Sequence, residues 1–173
     1  RYTVSSIGED DRTIKVGSLV VSILSASSFE DADDVSEECA DAWRRLFGRR
    51  NDTLLSEALY ITEVHVEPAY RGHQTALWMI ASIARLHGAP FRGLCLLPRV
   101  REEMPAPAKA AMQRRLGLYY QRLGLTWLGR RSTGYLFHED SYRIAEADSE
   151  RFSKGVVVKS ATRSKAGSTG SSP

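Results

Sequence analysis

The stretch from Ala58 to His87 constrains the fold of this chain more than any other. It opens with ALYITEVHV (Ala58 to Val66), rich in β-branched and aromatic residues, the composition of a strand built into a sheet. Glu67-Pro68-Ala69-Tyr70-Arg71-Gly72 breaks the strand. Gln74 to His87 then reads as a strongly apolar helix, stopped by Gly88 and Pro90. Phe91 to Leu97 follows as a short buried strand. A strand, a helix and a second strand in this order predict a parallel strand pair with the helix packed across it.

The flanking sequence extends that unit. Tyr2, Val4 and Ile7, the turn Gly8-Glu9-Asp10-Asp11 and the β-branched run Thr13 to Leu24 predict a hairpin, with a bulge or close backbone approach at Gly17. Ser27-Ser28 caps an expected helix running from Glu30 to Phe47, with Val35, Cys39, Trp43 and Phe47 on one face. Pro105 and Pro107 introduce another, with Ala108, Met112, Leu116, Tyr119, Tyr120 and Leu123 as its apolar positions and Gly124 as its end. Two short strands, Leu125 to Leu128 and Tyr135 to Phe137, close the pattern. The expected organisation is one mixed α/β domain over residues 1–158. A disordered, basic Ser/Gly-rich tail is expected over 159–173.

Composition narrows the function classes. A chain of 173 residues with 42% hydrophobic content suits one domain with a substantial core. Its most apolar stretch, Thr75 to Ala84, falls far short of the roughly 20 residues a membrane span needs. The two cysteines, Cys39 and Cys95, make neither a disulfide framework nor a four-ligand zinc site, so no metal is expected. Free thiols and the lack of a secretory leader point to the cytoplasm. The chain starts at Arg1 rather than Met, which leaves a missing leading segment or an organelle address open. The net charge of +3 is uneven, with five basic and no acidic residues from Arg151 onward. Past Phe152 that tail has no aromatics, which argues against nucleic acid as the partner. A nucleic-acid role through it would show as salt-dependent binding lost on truncation after Ser153.

The chemistry-bearing segment is Val64-His65-Val66-Glu67-Pro68-Ala69-Tyr70-Arg71-Gly72-His73-Gln74-Thr75-Ala76. A strand that runs through a turn into a helix presents unpaired helix amides at the positive end of the helix dipole. A pyrophosphate can be held there, with Gly72 permitting close approach and Arg71 adding positive charge. The segment lacks the Gly-Lys-Ser/Thr ending of a P-loop and the triple glycine of a dinucleotide fold. Read alone it is only a candidate anion site, because many Arg-Gly turns of this kind bind nothing.

This segment resembles the acetyl-CoA signature of the GNAT superfamily of N-acetyltransferases: a hydrophobic-x-Val strand end, Pro, an aromatic, then Arg/Gln-x-x-Gly-x-Gly/Ala. Arg71 and Ala76 fill the outer positions and Gln74 stands where the family has glycine. A second block, Leu118-Tyr119-Tyr120-Gln121-Arg122-Leu123-Gly124-Leu125, is similar to the family's hydrophobic-Tyr-x-x-Leu-Gly-Phe. Together they cover about Ala58 to His138. The resemblance implies an acyl-CoA N-acyltransferase fold, a central twisted mixed sheet flanked by helices. It also implies acetyl transfer from acetyl-CoA to a primary amine, by direct attack in a ternary complex. The backbone of Val64 and Val66 would pair with pantetheine. Arg71 and the amides of Gly72, His73, Gln74, Thr75 and Ala76 would hold the pyrophosphate. Tyr120 would protonate the leaving thiolate, although an aromatic spaced with Met112 and Leu116 is ordinarily core. The chain departs from the family in two further ways: Gln113 replaces an asparagine seven residues before Tyr120, and a hairpin opens the chain where a strand and two helices are usual.

An amine acceptor needs a proton acceptor. By position the candidates are Tyr60 and Thr62, neither a natural base. Glu63 and His65 lie one step away, on the other face of a regular strand unless a bulge re-aims them. Glu102 and Glu103 are outside candidates. The acids between Glu30 and Asp41 could attract a cationic acceptor, or simply form a solvated helix face. A homodimer is compatible with this reading. The alternative to an enzyme is a catalytically inactive GNAT-fold binding or regulatory module, motivated by Gln74 and the unassigned base.

Overall fold

The computed structural model describes residues 2–7, 13–48, 55–72, 74–87, 92–100, 103–128, 134–141, 143–144 and 156–160. The strands are β1 (Tyr2–Ile7), β2 (Thr13–Ser25), β3 (Glu57–Val66), β4 (Arg92–Leu96), β5 (Thr126–Trp127), β6 (Leu136–His138) and β7 (Val156–Ser160). The helices are α1 (Phe29–Val35), α2 (Glu37–Leu46), α3 (Thr75–His87) and α4 (Ala106–Tyr120). Short 3-10 turns occupy Pro68–Tyr70 and Gln121–Leu123.

All the strands join one mixed sheet in the order β5-β6-β4-β3-β2-β1-β7. β3 and β4 are parallel, as the strand–helix–strand pattern predicts, and every other pairing is antiparallel. Alternation along β3 sorts the core onto two faces. Leu59 and Ile61 pack with Leu77, Ile80, Ile83 and Leu94 beneath α3, while Ala58 and Tyr60 pack with Cys39, Ala42 and Leu46 beneath α2. Each fully buried aliphatic side chain contributes about 1.5–3 kcal/mol, so both faces hold the sheet.

The structure differs from the sequence reading in three places. The single helix expected over Glu30 to Phe47 is two helices broken at Ser36, whose backbone is extended (φ −177°, ψ 155°). The serine ends α1 and starts α2: its N–H donates to the Ala32 carbonyl and its Oγ accepts from the Cys39 amide at 3.2 Å. With the phase broken, Val35 leaves the expected face and is 62% exposed, while Ala32 is buried in its place. Second, Ala108 and Met112 of α4 face solvent, and only the C-terminal half of that helix enters the core, through Gly117 and Tyr120. Third, Lys159 and Ser160, the first residues of the expected tail, lie in β7 opposite Thr3 and Tyr2. Residues 161–173 fall outside the described residues.

Two bulges shape the middle of the sheet. On β2, Val4 pairs with Gly17 but Ser5 with Lys15, so Val16 is the extra residue beside the glycine. A side chain at Gly17 would bring its Cβ within 2.3 Å of the His65 carbonyl oxygen, so glycine lets β2 and β3 meet there. On β3, Val20 pairs with Glu63 but Val21 with Ile61, so Thr62 is the extra residue. The Thr62 hydroxyl donates to the Val20 carbonyl at 3.2 Å, which holds the bulge.

Candidate functional site: a groove and a cavity meeting at Tyr120

The Thr62 bulge re-phases β3. Before it, Leu59 and Ile61 face α3; after it, Val64 and Val66 do so. Glu63, opposite Val20, and His65, opposite Ser18, therefore share the face of Tyr60, which pairs with Ser22. A regular strand would have sent them the other way.

The same region is where the parallel strands part. β3 and β4 pair only from Glu57 with Arg92 to Ile61 with Leu96. Beyond that point β3 continues from Thr62 to Val66 with β2 as its partner, and β4 gives way to Leu97-Pro98. The backbone edge of Val64 to Val66 that faces β4 is thus open to an extended ligand.

From the strand end, the 3-10 turn leads into α3. The Thr75 hydroxyl donates to the Tyr70 carbonyl at 2.6 Å, pinning the turn to the helix start. The first bond of the helix runs from the Trp78 amide to the Gln74 carbonyl at 3.1 Å. The amides of Thr75, Ala76 and Leu77 precede it and lack helical acceptors. Gly72 has φ +86°. Gln74 has φ +61°, and it is the single non-glycine residue at positive φ among those described. Its backbone therefore adopts the conformation that glycine supplies at the corresponding signature position. Arg71 Nε donates to the Val66 carbonyl at 3.1 Å, so the guanidinium is tied back over the strand end.

Val64, His65, Val66, Arg71, Gly72, Thr75, Ala76 and Tyr120 come together on one groove of about 370 Å³. Gln74 does not border it, and His73 lies outside the described residues. Tyr70, Leu116 and Tyr119, which the sequence reading left out of the site, complete its walls. Burial raises the Tyr119 phenol above its usual pKa, while the backbone of Leu77 and the charge of Arg122 oppose the shift.

On the other side of Tyr120 lies a cavity of about 650 Å³, bordered by Glu63, Glu38 of α2, Arg99 and Pro98 of the β4–α4 loop, and Lys109 and Gln113 of α4. Val64 and Tyr120 border both spaces. Glu63 therefore belongs to the cavity and His65 to the groove, 3.7 Å from the Glu67 carboxylate. Glu38 pairs with Arg99 across the cavity rim. Tyr120 is 8% exposed, and burial, with the neighbouring Tyr119 adding to it, pushes its phenol up to about 12. It is protonated throughout the neutral range.

Other candidates stay outside. Tyr60 is buried against Tyr135 beneath α2, and burial lifts its phenol far above the ordinary value. Glu103 is exposed and borders neither space; Glu102 lies outside the described residues. Cys95 is buried in the core, its thiol pushed up by desolvation, and is chemically inert. The sequence reading missed Arg99 and Lys109. Lys109 and Gln113, one helical turn apart on the helix that ends at Tyr120, formed the signal that could have shown Lys109; Arg99, in the loop before that helix, had none.

Among the described residues no cluster of side chains could hold a metal ion, and no helix is long and apolar enough to cross a membrane. No family model matches the chain, and no curated protein matches it. The fold is similar to a chain in the crystal structure of the KacTA-DNA complex at 12% identity and a TM-score of 0.49, covering 86% of this chain and 74% of that one. A likeness of this size leaves activity to be argued from the site.

Proposed function

We propose that this protein is an acyltransferase of the GNAT type that moves an acetyl group from acetyl-CoA to a primary amine. The observation that carries the reading is the position of Tyr120, a protonated buried phenol at the junction of the two spaces. The element order strand–turn–helix–strand–helix with parting parallel strands supports it, as does the left-handed backbone of Gln74 at a glycine position.

The groove suits acyl-CoA. It offers an open strand edge to an amide-bearing arm, and the Thr75 and Ala76 amides at the start of α3, with Arg71 nearby, to a pyrophosphate. Acetyl-CoA supplies an activated thioester carbonyl. In transfer, the acceptor nitrogen forms a bond to that carbonyl carbon and the carbon–sulfur bond breaks. The amine gives up one proton and the sulfur gains one. Glu63, which borders the cavity, would take the amine proton, directly or through water. Tyr120 donates its O–H where negative charge develops on sulfur. A phenol at about 12 yields its proton to a thiolate of ordinary pKa, about 8.5, only uphill by roughly 5 kcal/mol. Tyr120 therefore acts first as a hydrogen-bond donor, and transfer completes only as far as the desolvated sulfur's own pKa rises with it.

The test is calorimetric titration of the purified chain with acetyl-CoA, alongside Arg71→Ala. Micromolar binding, weakened several-fold in the variant, supports the reading. No binding to a folded sample sinks it and favours the non-catalytic module.

A further inference from the structure

The helix that carries Tyr120 on its inner side leaves its outer side uncovered. In α4 Gly117 and Tyr120 are buried, while Lys109 and Gln113 border the cavity. Ala108, Ala111, Arg115 and Leu118, spaced three and four residues apart, fall on the side of the helix opposite Gln113, Gly117 and Tyr120. All four are exposed, Leu118 at 57%, and Met112 beside them at 38%. From Ala108 to Leu118 this stripe runs about 15 Å along the helix.

The same segment carries charge of one sign. From Ala106 to Leu123 there are four basic residues, Lys109, Arg114, Arg115 and Arg122, and no acidic one. Elsewhere Lys15, Arg45, Arg92 and Arg99 each have a carboxylate partner. Among the described residues no carboxylate pairs with Arg114, Arg115 or Arg122. Arg114 flanks the stripe, Arg115 lies within it, and Arg122 follows it in the 3-10 turn. Small and apolar side chains set among arginines are the anatomy of a protein interface, and their complement is an apolar ridge with acidic flanks.

We infer that the outer face of α4 docks an acidic amphipathic helix of a partner protein, its apolar ridge over Ala108, Ala111 and Leu118 and its carboxylates against Arg114, Arg115 and Arg122. A nucleic acid fits the face less well, because its phosphates gain nothing from an exposed leucine and alanines. An anionic membrane also fits less well, because the stripe holds one leucine and no aromatic to bury. A second copy of this chain offers the exposed acids of α1, Glu30, Asp31, Asp33 and Asp34. That helix has 7 residues and spans about 10 Å, too short to cover the stripe. The docking face lies on the back of the helix that lines the groove and the cavity, and it does not depend on acetyl transfer.

The experiment titrates the full chain with a synthetic helical peptide that has leucines at three- and four-residue spacing and glutamates on both flanks. A control peptide carries lysines in place of the glutamates. The glutamate peptide should bind with micromolar affinity, weakened about tenfold by Arg115→Glu, the low end of a charge-assisted contact, and several-fold by Leu118→Ala. The lysine peptide should not bind. Both substituted positions are exposed, and thermal melts matching wild type show that the variants fold. No binding of the glutamate peptide, equal binding of the two peptides, or affinities unmoved by the variants overturns the inference. Tighter binding of a short DNA duplex, or of vesicles of equal phosphatidylserine and phosphatidylcholine, overturns it by giving the face another occupant. A dimer in sedimentation that Arg115→Glu dissociates overturns it in favour of a second copy. Acetyl-CoA titrated into the same samples judges the enzyme reading separately, since neither Arg115 nor Leu118 borders the groove or the cavity.

Discussion

Gln74→Gly tests whether the turn into α3 is built for a glycine. At φ +61° the Gln74 Cβ crowds the following carbonyl, a strain of about 1–2 kcal/mol for a residue with a side chain. Glycine removes it but adds unfolded-state freedom that costs roughly 0.5–1 kcal/mol, so the net gain over glutamine is small. The informative comparison is with Gln74→Ala, which keeps Cβ and its strain while losing the amide. The same two terms separate glycine from alanine, so glycine should exceed alanine in stability by about 0.5–1 kcal/mol, or roughly 1–4 °C in melting temperature for a chain of this size. The assay is thermal unfolding of the three proteins followed by circular dichroism. Alanine equal to or above glycine would refute the claim that the strain resides in the left-handed backbone. The donor titration separates a second effect. If the glutamine amide bonds a phosphate, both variants lose about two- to tenfold in acetyl-CoA affinity, whereas relief of crowding makes only the glycine variant bind tighter.

Tyr120→Phe should slow thiol release by about 10²–10³-fold in an assay with a chromogenic thiol reagent, with acetyl-CoA affinity unchanged. The same variant carries a pH prediction. The folded pKa of Tyr120, about 12, lies above its ordinary value of 10.0, so its contribution is complete below pH 10 and is lost as pH rises through 12. Alkaline melting curves of wild type should therefore fall more steeply than those of Tyr120→Phe; parallel curves would contradict the burial of the phenol. Gly17→Ala forces a Cβ toward the backbone oxygen of His65 and should destabilise by about 1–3 kcal/mol in urea unfolding, through strain that no side-chain rotation relieves. Deleting Thr62 should leave a folded sheet, because the pairings on both sides keep their register, yet close the gap beside β4 and cost most of the acetyl-CoA affinity. Undiminished binding in that deletion would separate the bulge from the donor groove.

The parts of the fold that were legible in the sequence are those set by strong local chemistry. The alternation and bulk of ALYITEVHV, the Pro-Ala-Tyr-Arg-Gly break and the apolar helix after it placed β3 and α3 within a residue of their observed bounds. They also placed the groove residues Val64, Val66, Arg71, Gly72, Thr75 and Ala76 together. What escaped depends on competition between local and tertiary effects. The four-residue spacing of Val35, Cys39, Trp43 and Phe47 describes an unbroken helix, yet Ser36 bonds its own backbone neighbours well enough to stop one helix and start another. Trp43 keeps α2 in place independently of Val35, through its Nε1 donating to the Ser25 carbonyl at 2.7 Å. The cavity beside Glu63 was less legible still, because its polar residues come from α2, β3, the β4–α4 loop and α4, and no short segment contains two of its elements. The bulge was harder again. Nothing in Ile61-Thr62-Glu63 distinguishes an inserted residue from a regular one, because the insertion exists only relative to Val20 and Val21 on the partner strand. On a regular strand Glu63 would have turned toward α3 with Leu59 and Ile61, where a carboxylate carries a desolvation cost of several kcal/mol. The bulge spares it that burial and places it at the cavity, so one strand supplies both an apolar core face and a carboxylate at the cavity wall.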